Sequence, residues 1–101
     1  MNDNVTIIEA TKQPIDKNAL DELIVYSGYK VDMLLQYERP EGQKNGHYII
    51  FAKYHQGQVV RQVFTQRQTP RNFSNLQRAV DWGKRIGFAT ICLSIDYTKY
   101  P

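Results

Sequence analysis

Apolar residues recur along this chain with two periods, and the switches between them mark its elements. Residues 5–10 (VTIIEA) form a short β-branched run that predicts a first strand, and residues 11–14 break it. Residues 15–26 change to helical spacing, with Ala19, Leu20, Leu23 and Ile24 on one stripe, Asp16 as the capping residue and Gly28 closing the segment. Asp21 and Glu22 fall on the water side. Residues 31–38 alternate: Val31, Met33, Leu35 and Tyr37 point one way, Asp32, Gln36 and Glu38 the other, and Leu34 breaks the rule. Residues 39–46 (RPEGQKNG) read as a loop, long for a hairpin and therefore a place for movement or binding.

Residues 47–55 (HYIIFAKYH) predict a strand, Gln56-Gly57 a tight turn, and residues 59–65 a returning strand. The pattern leaves open which face of 47–55 is buried. Tyr48, Ile50, Ala52 and Tyr54 lie on one side, and Ile49, Phe51 and Lys53 on the other. A strand covered on both faces has this pattern, and so does a sheet with an exposed aromatic patch.

The stretch from Arg61 to Phe88 contains the clearest helix. Asn72 or Ser74 serves as its cap, Phe73, Leu76, Ala79, Val80, Gly83 and Ile86 form its apolar face, and Gly87 stops it. Lys84 and Arg85 sit in the last turn, where cations suit the helix dipole. Residues 89–95 (ATICLSI) predict a final strand with Ile91, Leu93 and Ile95 on one side. The order is β-α-β-β-β-α-β. It implies an α+β fold, with an antiparallel sheet of three to five strands and two helices on one face.

A chain of 101 residues makes one small domain over residues 1–101, with 1–4 and 97–101 as loose ends. Apolar residues are 42% and charged residues 23%, an ordinary globular balance. No apolar run reaches the ~18–20 residues of a membrane helix, and the N-terminus has no secretory pattern. A cytoplasmic protein without a membrane partner is expected. Cys92 is the single cysteine, which excludes an intramolecular disulfide, and its apolar strand pattern predicts a buried, inert thiol.

The net charge of +3 conceals a split. Residues 1–41 carry four cations against eight acids, −4, and residues 42–101 carry nine against two, +7. Between Arg61 and Arg85 the cations are Arg61, Arg67, Arg71, Arg78, Lys84 and Arg85, opposed only by Asp81. Arginine's flat fork suits phosphate and carboxylate. Tyr48, Phe51, Lys53 and Tyr54 interleave rings with charge just upstream. A solvated helix face beside ordinary core aromatics gives the same pattern.

Signals for catalysis are missing. No phosphate-cradling glycine loop, dinucleotide fingerprint or nucleophile elbow occurs. His47 and His55 stand at opposite ends of one strand, poorly placed to share a metal. No enzymatic activity, cofactor or metal is expected.

The α-β-β-β-α order over residues 15–86 resembles a double-stranded-RNA-binding domain. That family opens its second helix with a lysine-rich motif gripping phosphates. Here the stretch is PRNFSNLQRAVDWGK, so no residue role is carried over. Separately, Arg71, Phe73, Leu76, Ala79 and Val80, followed by Gly87-Phe88, are similar to a run in small accessory proteins of bacterial plasmids and phages.

The leading expectation is a small nucleic-acid-binding accessory or regulatory protein. DNA or RNA would meet Lys53, Arg61, Arg67, Arg71, Arg78, Lys84 and Arg85, with Tyr48, Phe51 and Tyr54 as aromatic contacts. The alternative is a non-enzymatic inhibitor or interaction module of a phage or plasmid, meeting an acidic protein surface through the same arginines. A homodimer through a strand edge is a third reading.

Overall fold

The computed structural model describes residues 13–96. The strand expected at 5–10 and the loose ends lie outside them. The described elements are β1 (Ile15–Asp16), α1 (Lys17–Asp21) running on as a π-helical turn (Glu22–Tyr26), β2 (Asp32–Glu38), β3 (His47–Tyr54), β4 (Val59–Phe64), β5 (Asn72–Phe73), α2 (Leu76–Ile86) and β6 (Thr90–Ser94). The mixed α+β class expected from the sequence is the one observed.

Six strands form one sheet in the order β1-β4-β3-β2-β6, with β5 joining β3 beyond the end of β4. The pairs β2·β3, β3·β4 and β3·β5 are antiparallel. The outer pairs, β1·β4 and β2·β6, are parallel, because each helix carries the chain across the sheet before the next strand enters. Among the described residues no helix is long and apolar enough to cross a membrane.

Both helices pack on one face. Leu20 from α1 and Ala79, Trp82 and Ile86 from α2 share a core with Met33, Leu35, Ile50, Ala52, Tyr54 and Val63 from the sheet. Leu20, Met33, Ile50 and Val63 expose no surface. Burying a side chain of that size contributes about 1.5–3 kcal/mol. Gly83 is where α2 comes nearest the sheet, since a Cβ there would overlap Met33 Sδ. The second face carries a smaller cluster, Ile49 and Phe51 with Leu34 and Val60 against them. Strand β3 is therefore buried on both sides, which settles the ambiguity of its pattern and explains the irregular Leu34.

Several boundaries differ from expectation for local reasons. Ile15 and Asp16 are extended rather than helical: Ile15 pairs with Val63 in the sheet, and Asp16 caps α1 by accepting from the Ala19 N–H at 2.8 Å. The wider π turn, closed by Ser27 N–H to Glu22 C=O at 2.9 Å, leaves Val25 and Tyr26 in solvent. Neither Asn72 nor Ser74 caps α2. Asn72 and Phe73 pair with Ile49 and Tyr48, and the cap is Asn75, whose side chain accepts from Arg78 N–H at 3.0 Å. Gly87 ends the helix at φ 105°, as its position implied. Cys92 is exposed rather than buried, because β6 is an outer strand and Cys92 faces away from the helices.

Candidate functional site

Between α1 and α2 lies an open groove of about 660 Å³. Lys17, Asp21, Val25 and Tyr26 form its α1 wall; Trp82, Arg85 and Ile86 form its α2 wall; Arg71 completes the lining. Each side chain arrives there for a traceable reason. Residues 65–69 make a tight reversal, with Thr65 N–H bonded to Thr69 C=O at 2.7 Å and the two threonine hydroxyls 2.8 Å apart. The returning chain is then tied to β4 by Arg71 N–H to Val63 C=O at 2.9 Å. Strand alternation puts Arg71 and Phe73 on the helix side and Asn72 on the other.

Arg71 lies over Trp82, its Cζ 5.1 Å from the ring centroid. Trp82 is held between Phe73 at 5.9 Å and Phe88 at 6.2 Å. The guanidinium is thus seated on a fixed ring, an arrangement worth roughly 0.5–2 kcal/mol. It makes no hydrogen bond or ion pair among the described residues, and its Nε is buried without a partner. Arg85 follows Trp82 by one helical turn and is likewise unpaired there. Lys17 and Asp21 neutralise each other at 3.0 Å, one turn apart on α1. The groove is left with two uncommitted positive charges beside exposed Val25 (66%) and Tyr26 (84%).

Of the other expected cations, none joins this pair in the groove. Arg61 donates from Nε to Gln13 C=O at 2.9 Å and from Nη2 to Pro14 C=O at 2.8 Å, holding the chain that leads into β1. Arg67 stands exposed in the reversal after β4. Arg78 and Lys84 are exposed on α2, and Lys84 lies about 100° around the helix from Arg85. Lys53 is on the second face, by a cavity of about 440 Å³ lined also by Asp32, Thr90 and Cys92. There the Thr90 hydroxyl donates to Asp32 at 2.7 Å.

The expected aromatic contacts are structural. Phe51 (2% exposed) and Tyr54 (8%) are buried, and half-buried Tyr48 packs against Tyr37 at 5.4 Å. A side chain central to a sheet with core on both faces has no free ring to stack on a base. The exposed rings are instead Tyr26 and Tyr29.

The sequence reading passed over Trp82, Lys17, Val25 and Tyr26. Trp82 was visible as the residue three after Ala79 and four before Ile86. Val25 and Tyr26 were visible as apolar residues falling off the stripe of the first helix. Among the described residues, no group of three His, Cys, Asp or Glu side chains could hold a metal ion. Compared with protein-family models, curated proteins and solved structures, the chain matches none.

Proposed function

We propose that the chain is a non-enzymatic interaction module that takes an acidic, partly apolar segment of a protein partner into the groove between α1 and α2. The observation that carries this reading is Arg71, seated on Trp82 with no partner of its own, in one groove with Arg85 and beside exposed Val25 and Tyr26. A guanidinium already fixed on a ring loses little freedom on binding, and two of them match carboxylates in a fork-to-fork manner. Tyrosine, tryptophan and arginine are also the side chains on which protein interfaces concentrate their energy.

A nucleic-acid partner is the second reading. It is favoured by the exposed Arg67, Arg78 and Lys84, which extend positive charge away from the groove. The burial of Phe51 and Tyr54 and the diversion of Arg61 to backbone carbonyls weigh against it.

Trp82 is the only tryptophan in the chain, so its fluorescence reports on the groove directly. A glutamate–tyrosine copolymer should shift Trp82 emission, and the double variant Arg71→Ala with Arg85→Ala should abolish the shift. A single-stranded oligonucleotide of equal charge should perturb Trp82 less, with any binding falling steeply in salt. Equal or stronger perturbation by the oligonucleotide would transfer the assignment to nucleic acid. Silence from both ligands would remove the groove as the site.

A further inference from the structure

The two outer edges of the sheet are built differently. At one edge β1 has two residues, follows Pro14 and turns at once into α1. A short edge beside a proline offers another chain little to pair with. At the other edge β6 runs for five residues, TICLS, without charge, proline or glycine. All of it except Ile91 is exposed, including Leu93 at 42%.

The backbone directions can be assigned. Ala89 N–H donates to Val31 C=O at 2.8 Å. In a parallel pair, alternate residues turn both amide groups to the same neighbour. Ala89, Ile91 and Leu93 therefore face β2, while Thr90, Cys92 and Ser94 turn their N–H and C=O groups outward. Among the described residues no strand takes up these outward groups.

We propose that β6 pairs with the β6 of a second copy of this chain, antiparallel, about a two-fold axis at Cys92. The outward groups sit symmetrically about Cys92, so an inverted copy meets a donor with an acceptor at each position. Thr90 then opposes Ser94, and Cys92 opposes its counterpart. Ile91 opposes Leu93 on the helix side, extending the apolar surface across the junction. The strand's neutrality removes like-charge repulsion between copies and gives a charged foreign segment nothing to select. This inference is independent of the groove. So short a contact falls below the ~1,000 Å² of stable interfaces, so the dimer is a weak, reversible one.

The test is sedimentation equilibrium of the full chain in reducing buffer, for the wild type, Cys92→Ser and Cys92→Lys. The wild type and Cys92→Ser should dimerise alike. Cys92→Lys places two ammonium groups opposite each other at the axis and should weaken the dimer by about fivefold or more, with partial recovery in high salt. Unchanged circular dichroism would show that each variant is folded. Thr90→Pro is a second variant: it removes an outward N–H that β2 does not use, and it should also leave a monomer. A short bismaleimide should join wild-type copies through Cys92. A monomer at the highest attainable concentration would overturn the proposal. So would a dimer indifferent to both Cys92→Lys and Thr90→Pro.

Discussion

Arg61 and Arg71 belong to the same basic stretch, yet the fold puts them to opposite uses. At the β1–β4 edge, the Arg61 guanidinium is occupied by the carbonyls of Gln13 and Pro14. In the groove, Arg71 rests on Trp82, and its buried Nε has no acceptor. An arginine that satisfies backbone carbonyls stabilises the chain around it. An arginine whose donors are left over is a cost to the fold that a ligand can offset. Counting cations along a sequence therefore overstates a binding surface, because some of them are already committed.

The sharpest way to break this contrast is to remove the ring beneath Arg71. Trp82→Ala should cost about 3–5 kcal/mol in urea unfolding, since Trp82 is 6% exposed within the main core. Trp82→Phe should keep more than half of that stability while loosening the seat of Arg71. A smaller effect isolates the structural arginine. Arg61→Met should lower stability by about 1–2 kcal/mol, as two charge-assisted hydrogen bonds at a partly exposed site are lost, and copolymer binding to the groove should be unchanged. Asn75→Ala removes the cap of α2 and should cost about 1 kcal/mol, again with binding near the wild-type level. Arg67→Ala touches nothing in the fold and should stay within about 0.5 kcal/mol of wild type. A larger loss at Arg67 would mean that the reversal after β4 relies on its charge.

Much of this architecture was legible because local chemistry and tertiary packing agree. Asp16 and Gly87 terminate their helices as their residue types imply, and the alternation of Val31, Met33 and Leu35 marks the face on which both helices lie. The misreadings arise where a distant partner decides. Ile15 has helical spacing but is taken into the sheet by Val63, and Asn72 has capping chemistry but is paired with Ile49. Cys92 has a core pattern yet lies on an outer strand, a placement fixed by strand order that no local window contains. The site was half visible. Arg71 and Arg85 stood out as charge, but their meeting depends on the reversal at 65–69 and on Trp82, whose role emerges only when both helices share one face.

The claim that Arg61 builds the fold while Arg71 is held ready for a partner is tested most directly by urea unfolding of Arg61→Met and Arg71→Met side by side, followed by circular dichroism. The Arg61 variant should unfold at a clearly lower urea concentration, and the Arg71 variant at the wild-type midpoint or above it, since an unsatisfied buried donor has been removed. A fall in the Arg71 midpoint as large as that of Arg61 would contradict the account.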